Sequence, residues 1–432
     1  MQPFNILLSI SLCIPFLLYG FRASVHVGTI FFAILIIIAY VLYLARSDKT
    51  CALHDGASAK DSLFKNARLI LIAFGLYAIS SIISLIHGFG FLDSWRFQES
   101  FLKFGIFGIL LFLFFKLGFH IKANLLFGAF IIGGIINSAI SIYMRIFGSD
   151  LDRISLFNGI FQFSYFSAVI GITCFNIFLY QKQNKILKII ALITTILCAI
   201  ALFLGVSRGI ILGFLVACFI SFVIHWRFSG FRNAFFKSIL VLLLCIIPLA
   251  FIPSFYKPFL KRTTEIQTET KGFSEKLDEK PKDVDHYGSI GLRFIIWDNA
   301  FAIFKLSPIF GMNVKLRKEN ADLITQNTHF KVLVKLIGEA HNEALNALAK
   351  NGIIGLSALI FMLASIGVIF ARKLKKGQFL YPSCALSVLS LYIIDGIFNT
   401  PLDSKVEAPL FFICIICFLS LFYQSKKQDL KI

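Results

Sequence analysis

Long apolar runs, separated by short polar segments, recur along the whole chain. The run at 25–45 is typical, and it is long enough to cross the hydrocarbon core of a bilayer as one helix, which needs about 20 residues. The pattern predicts twelve transmembrane helices, at 4–20, 25–45, 68–90, 101–118, 123–144, 161–180, 186–204, 209–225, 238–256, 352–371, 379–396 and 408–423. The predicted fold class is therefore an all-α polytopic membrane protein.

The distribution of basic residues predicts how these helices are oriented. With a cytoplasmic N-terminus, the segments on the cytoplasmic side hold 20 Lys and Arg residues, and the five short loops on the opposite side hold 7. Those cytoplasmic segments are 46–68, 116–122, 181–188, 226–237, 372–376 and 424–432. Cytoplasmic loops of membrane proteins carry the excess of basic residues, so we expect both termini inside.

One connection is far longer than the others. Residues 257–340 join the ninth and tenth predicted helices, and the predicted topology puts these 84 residues on the outer side. The expected organisation is nine transmembrane helices in 1–256, a large outer loop at 257–340, and the start of an outer helix followed by three transmembrane helices in 341–432. Loops of this length are usually functional or disordered.

Two segments of this region predict helices. Residues 293–306 carry apolar side chains at helical spacing and end at Ser307-Pro308, which predicts an amphipathic helix lying on the membrane surface. The apolar positions are Phe294, Trp297, Phe301 and Phe304. Residues 340–350 predict a helix that is closed by a left-handed cap at Asn351-Gly352 and leads into the tenth transmembrane helix.

The composition is typical of a membrane protein, and the position of the excess charge argues against nucleic-acid binding. Hydrophobic residues make up 58% of the chain and charged residues 15%, whereas soluble domains average about 45–50% and about 25%. A net charge of +19 would indicate nucleic-acid binding in a soluble protein. Here most of the excess lies in the predicted cytoplasmic segments, so we expect a lipid bilayer and no nucleic acid as a partner.

Four ionisable residues near the outer membrane surface are candidates for function, because charge beside the membrane is costly. Arg208 lies in the very short turn between the seventh and eighth helices. Arg293 opens the amphipathic segment, where a cation conflicts with the helix dipole unless an anion binds. His341 lies at the start of the helix before the tenth span, and Asp395 lies at the outer end of the eleventh. Each could instead be an interfacial side chain without a chemical role.

Supporting residues are suggested by their position beside these four. Arg145 and Arg153 flank the outer loop after the fifth helix, Trp297 follows Arg293 in the amphipathic segment, and Glu339 and Asn342 flank His341. In the eighth helix, Gly209 and Gly213 share one face, where another helix or a ligand can approach closely.

Metal sites have little support in the sequence. Two D-x-D pairs, Asp150 with Asp152 and Asp283 with Asp285, could hold a divalent cation on a diphosphate, but such pairs are frequent by chance. His341 lacks the spacing of a zinc motif. We therefore expect neither a metal nor another cofactor.

Together, the four candidates predict one kind of substrate. They come from separate parts of the chain, yet the predicted topology puts them at the same depth on the outer face. Two arginines can bind a diphosphate bidentately and stabilise it as a leaving group. A histidine can accept a proton from an attacking hydroxyl near neutral pH. This set suits a lipid-linked phosphate.

Three motifs in this region resemble the O-antigen ligase and polymerase superfamily. They are the S-R-G turn at 207–209, the G-L-R-x-x-x-W segment at 291–297 followed by S-P-I-F-G at 307–311, and the run from His341 to Gly355. Twelve helices with one large outer loop also match this superfamily, so the resemblance implies the fold of class C glycosyltransferases with amphipathic helices in a periplasmic loop.

The resemblance implies a metal-independent, inverting glycosyltransferase of the bacterial inner membrane, with its active site facing the periplasm. The donor would be a glycan on undecaprenyl diphosphate, and the acceptor of a ligase is a sugar of lipid A-core. Carried over by motif, Arg208 and Arg293 would bind the donor diphosphate and His341 would activate the acceptor hydroxyl, with Asp395 in support.

Three other functions stay open at this point. An O-antigen polymerase would join repeat units on the lipid carrier, and a protein O-oligosaccharyltransferase would modify a protein. A secondary transporter is the general alternative for twelve helices, but it predicts ionisable residues near the middle of the membrane, where this sequence has almost none.

Overall fold

The fold is described from a computed structural model of the chain. The described residues are 2–17, 24–46, 57–87, 91–147, 160–181, 184–251, 288–329, 339–374 and 379–429, together with residues 257, 260 and 264. Within these ranges the chain forms helices and turns and no strand.

The described ranges contain fifteen helices of six residues or more. They are α1 Gln2–Leu17, α2 Ser24–Arg46, α3 Ala57–His87, α4 Phe91–Lys116, α5 Ala123–Phe147, α6 Ile160–Tyr180, α7 Lys185–Gly205, α8 Arg208–Ser229, α9 Phe231–Phe251, α10 Gly288–Leu306, α11 Val314–Glu319, α12 Ala321–Asn327, α13 Glu343–Leu374, α14 Leu380–Asp395 and α15 Glu407–Asp429. Each of the twelve predicted spans overlaps one of these helices, and α10 to α12 lie in the long loop.

Eight described helices are long and apolar enough to cross a membrane. They are α2, α3, α5, α6, α7, α8, α13 and α15, and the apolar helices α1 and α14 are shorter. These helices support the predicted all-α polytopic membrane protein. The count of twelve spans and the orientation of the termini stay predictions.

The helices differ in how much of their surface faces other helices. In α6, 94% of the span is buried within the protein, and in α15 the share is 89%, whereas in α2 it is 28%. The exposed side chains of α2 include Val27, Ile30, Ile34 and Ile37, which follow one another at helical spacing. Such an apolar stripe is suited to lipid contact, so α2 is a peripheral helix and α6 a central one.

Helix α10 packs on the protein through an aliphatic face. Its buried apolar side chains are Ile295, Ile296, Ala300, Ala302 and Ile303, which pack with the other loop helices and α13, whereas Phe294 and Phe301 are exposed. The aromatic stripe is therefore not the face that the protein covers, and its contact with the membrane surface stays a prediction. The helix also begins at Gly288, five residues earlier than predicted, so Arg293 lies in its second turn, where a conflict with the helix dipole is weak.

The loop and the membrane helices are joined by main-chain contacts at two predicted motifs. The N–H of Met312 donates to the carbonyl of Ala349 (2.9 Å), and the N–H of Ile353 donates to the carbonyl of Pro308 (2.8 Å). Gly311 and Gly352 meet at this contact with φ values of 69° and 62°. We name this contact the glycine joint.

The left-handed cap predicted at Gly352 is confirmed in its positive φ and wrong in its ψ. Gly352 does have a positive φ, but its ψ is −158°, which is outside the left-handed helical region. The chain kinks at this residue and continues directly as α13. The close approach of the 308–311 backbone, together with this conformation, explains why glycine occupies the position.

We expect Gly352→Ala to destabilise the protein strongly. The new methyl group would overlap the carbonyl of Ile309, and a non-glycine residue with this backbone costs about 1–3 kcal/mol before the overlap is counted. Thermal unfolding of the detergent-solubilised protein measures the effect as a lower Tm. Gly367→Ala in the same helix is the control, because its methyl group would meet Leu389 at an ordinary 3.5 Å. Equal Tm values for the two variants would contradict the role of the joint.

Candidate functional site

The short turn that carries Arg208 has the predicted form. Helix α7 ends at Gly205, Val206 adopts a left-handed conformation with φ 54°, and α8 begins at Arg208. Because only two residues separate the helices, the Arg208 side chain is held at the very end of the bundle, where it is exposed.

The two glycines of α8 allow α14 to approach closely, as the sequence predicted. A methyl group on Gly209 would overlap Oδ1 of Asp395, and one on Gly213 would lie 2.8 Å from Cδ1 and 3.0 Å from the carbonyl oxygen of Leu391. Glycine at these positions therefore lets the Asp395 carboxylate lie directly against the first turn of α8.

Asp395 is the last residue of α14 and is fully buried. The hydroxyl of Tyr165 donates a hydrogen bond to its Oδ2. The side-chain amide of Asn399 donates to its Oδ1 at 2.7 Å. Both carboxylate oxygens thus have a donor, as a buried carboxylate requires.

Arg208 and Arg293 line the same cleft, which we name the arginine cleft. Its volume is about 300 Å³, and its other lining residues are Gly209, Leu212, Phe294, Trp297 and Phe398. Burial lowers the pKa of Arg293, and the charge of Asp395 opposes this shift. An arginine stays protonated at neutral pH, so both guanidinium groups present positive charge to the cleft.

Trp297 adds an unsatisfied donor to this cleft. Its indole Nε1 is buried and has no hydrogen-bond partner among the residues that the structure describes. A buried N–H without a partner is costly, and a bound oxygen atom would remove that cost.

His341 is placed by the residues that follow it, and not by a helix of its own. It has φ 45°, a conformation that is uncommon for a residue with a side chain, and α13 begins only at Glu343. Asn342 caps that helix, since its side-chain oxygen accepts from the N–H of Leu345 (3.0 Å) and its amide donates to the carbonyl of Ile397 (3.0 Å). The predicted helix over 340–350 therefore begins three residues later than expected, and His341 lies outside it.

The surroundings of His341 favour the neutral imidazole. Burial lowers the pKa of His341, the charge of Arg293 lowers it further, and the charge of Glu339 raises it. Since the combined shift is downward from a value of 6.5, the side chain can accept a proton near neutral pH.

A second cleft, of about 310 Å³, contains His341, and we name it the histidine cleft. Nine of its twelve described lining residues have polar side chains. The residues other than His341 are Phe161, Gln162, Tyr165, Glu339, Asn399, Thr400, Pro401, Ser404, Lys405, Val406 and Glu407. Thr400 donates a hydrogen bond to Glu339 Oε2 at 3.0 Å, which fixes that carboxylate beside the histidine.

The two clefts share one wall, the turn that follows α14. Phe398 lines the arginine cleft and Asn399 lines the histidine cleft. Asp395 holds this turn, because the backbone N–H groups of Phe398 and Asn399 both donate to its carbonyl at 2.8 Å. A substrate that bridged the clefts would therefore lie against Phe398 and Asn399.

Other predicted residues are not in this arrangement. Arg145 lies in the last turn of α5 and lines neither cleft. Arg153 and both D-x-D pairs lie outside the described residues. Among the described residues, no group of three or more His, Cys, Asp and Glu side chains could hold a metal.

The sequence interpretation missed Tyr165, Asn399 and Glu407. Tyr165 is one aromatic residue in an apolar helix, which carries no local signal of a role. Asn399, four residues after Asp395, had a weak signal, because an amide one turn beyond a buried acid is a common hydrogen-bond partner.

Part of the chain is similar to known proteins. Residues 193–360 match the family described as O-Antigen ligase, a span that includes Arg208, Arg293 and His341 and excludes Asp395. An uncharacterized protein of Haemophilus influenzae is 22% identical over 249 residues, which is 56% of this chain and 59% of that protein. The family match supports the O-antigen ligase/polymerase superfamily, whose members are glycosyltransferase-like enzymes acting on lipid-linked glycans.

We expect Tyr165→Phe to destabilise the protein, because it leaves Oδ2 of the buried Asp395 without its donor. Such a loss costs about 1–3 kcal/mol. The control is Tyr143→Phe, at a side chain that is 63% exposed, where the change should stay within about 0.5 kcal/mol. Thermal unfolding in one detergent compares the two, and a Tyr165→Phe protein as stable as its control would refute the role of this hydrogen bond.

Proposed function

We propose, from the O-antigen ligase match of residues 193–360 and the geometry of the two clefts, that the chain is an O-antigen ligase. It transfers a glycan from undecaprenyl diphosphate to a sugar hydroxyl of lipid A-core, at the periplasmic face of the bacterial inner membrane. The observation that carries the proposal is one cleft with two arginines from distant parts of the chain, beside a half-buried histidine of lowered pKa.

The arginine cleft binds the diphosphate of the donor. Arg208 and Arg293 are planar, permanently charged donors that suit phosphate oxygens bidentately. The free indole N–H of Trp297 supplies a third donor. The apolar side chains of Leu212, Phe294 and Phe398 exclude water between these groups, which strengthens the attraction for the phosphate charge.

His341 acts as the general base. Its neutral imidazole takes the proton of the acceptor hydroxyl, whose oxygen forms a bond to the anomeric carbon of the donor sugar. The bond from that carbon to the phosphate oxygen breaks on the opposite face, so the configuration inverts. Undecaprenyl diphosphate leaves with the bonding electrons, and the two arginines stabilise its added negative charge.

Asp395 acts indirectly in this scheme. Both of its oxygens are engaged by Tyr165 and Asn399, so they are poorly placed to bind substrate. Its charge favours the protonated form of Arg293 and therefore supports the cation on which diphosphate binding depends.

The test is a lipopolysaccharide gel of a strain whose own copy of the gene is deleted. Loss of a ligase leaves lipid A-core without any glycan and polymer on the lipid carrier. Loss of a polymerase instead leaves core that carries a single repeat unit, which would reassign the chain within the superfamily. Wild-type protein restores the full ladder in either case.

In the same strain, we expect His341→Ala to leave lipid A-core uncapped, because the variant lacks the imidazole that takes the hydroxyl proton. The matched control is His329→Ala, at an exposed histidine of the preceding loop that lines neither cleft, and it should restore capping. Equal amounts of both variants in the membrane fraction are required. Normal capping by His341→Ala would disprove the general-base role.

We also expect the transfer rate to fall at acidic pH with an apparent pKa below 6.5, since only neutral His341 accepts the proton. Glu339→Gln removes a negative charge that raises the pKa of His341, so the fall should move to still lower pH. Glu319→Gln, at an exposed residue of α11, is the control and should leave the profile unchanged. Rates of the purified protein across pH measure both, and a shift to higher pH with Glu339→Gln would contradict the assignment.

A further inference from the structure

The histidine cleft differs from the arginine cleft in its chemistry, although the two share a wall. The arginine cleft combines two guanidinium groups with apolar side chains. The histidine cleft contains two amides, one phenol, one imidazole, hydroxyl groups, two carboxyl groups and one lysine. A diphosphate needs several cations, so the histidine cleft suits a different ligand from the one in the arginine cleft.

The charges of the histidine cleft do not suit a diphosphate. Among its described lining residues Lys405 is the one lysine or arginine, and the carboxylate of Glu339 opposes its charge. Carboxylates and amides are instead suited to hydroxyl groups, because a carboxylate accepts and an amide both donates and accepts. A neutral ligand rich in hydroxyl groups matches this set.

An aromatic surface lies at the edge of the same cleft. Phe161 is in the first turn of α6 and is 40% exposed, and Tyr165 is four residues later, so both project from the same side of the helix. Gln162 lies between them in sequence and also lines the cleft. An aromatic ring beside hydrogen-bonding groups can pack on the apolar C–H face of a sugar ring while its hydroxyls reach polar partners.

The buried side chain of Glu407 is a separate observation, because one of its oxygens lacks a hydrogen-bond partner among the described residues. Its side chain is 3% exposed, and its Oε2 is buried without a hydrogen-bond partner among the described residues. An unsatisfied buried carboxylate oxygen is costly. Since Glu407 lines the cleft, a hydroxyl group of a bound ligand is a suitable donor.

We propose that the histidine cleft is the acceptor subsite and that it binds an uncharged sugar ring, packed on Phe161 and hydrogen-bonded by Gln162 and Glu407, with the reacting hydroxyl at His341. The inference rests on the proposed transferase function and adds the residues that hold the acceptor ring. Phe161 and Gln162 determine acceptor affinity, whereas the residues of the arginine cleft determine donor affinity.

The experiment measures transfer by the purified full chain in lipid nanodiscs, with a lipid-linked oligosaccharide diphosphate as donor and lipid A-core as acceptor. Each substrate is varied while the other is saturating. We expect Phe161→Ala and Gln162→Ala each to raise the KM for acceptor by about tenfold, with the KM for donor within about twofold. Phe161 is partly exposed, so its replacement should not prevent folding.

Two phenylalanine variants serve as comparisons. Phe294→Ala, at a residue of the arginine cleft that is 45% exposed, should raise the KM for donor and leave the KM for acceptor unchanged. Phe147→Ala, at a 72% exposed residue of α5 outside both clefts, should change neither. A purely structural role of Phe161 would lower kcat or protein yield without separating the two KM values.

The possible failures are distinguishable. The acceptor subsite is overturned if wild-type protein transfers glycan and the Phe161 and Gln162 variants raise the KM for donor, or neither KM. The ligase proposal is overturned if wild-type protein glycosylates a lipid-linked repeat unit and not lipid A-core, and the same KM comparison on that acceptor then still decides the subsite. No transfer to either acceptor overturns both.

Discussion

The candidate site depends on a single buried carboxylate. Asp395 has no exposed surface, so its charge must be met by partners within the protein. Those partners come from different parts of the chain, with Tyr165 on α6 and Asn399 on the following turn, while Gly209 of α8 provides the space. The contacts of the Asp395 carboxylate therefore hold α6, α8 and α14 against each other. These contacts also shape both clefts.

Positive charge from the loop completes this arrangement. Arg293 belongs to α10, yet it interacts electrostatically with Asp395 of the helical bundle and with His341. The same guanidinium group can thus hold a phosphate, be supported by a carboxylate and keep a nearby histidine neutral. His341 itself has an uncommon backbone conformation, which the hydrogen bonds of Asn342 and Glu343 to residues 396 and 397 hold in place. In the proposed mechanism, these few contacts would couple donor binding to proton transfer.

Features of the fold and of the candidate site could be predicted where they depend on residues that are adjacent in the sequence. The two-residue turn before Arg208, the small face of Gly209 and Gly213, and the positive φ of Gly352 follow from adjacent residues alone. The buried face of α10 could not, because its aromatic and aliphatic residues are both apolar, and only packing against α13 decides which are covered. Tyr165 was missed for a similar reason, since its partner is 230 residues away. Its role arises from the tertiary fold and has no sequence pattern.

The glycine joint has an evolutionary consequence. Its two hydrogen bonds connect main-chain atoms of 308–312 to those of 349–353, so the contact does not depend on the identity of most side chains around it. Neighbouring positions can therefore diverge among relatives while the loop keeps its attachment, provided that Gly311 and Gly352 are retained. A family built on such a contact can change the substrates that its outer surface accepts without rebuilding the support that aligns its reactive groups.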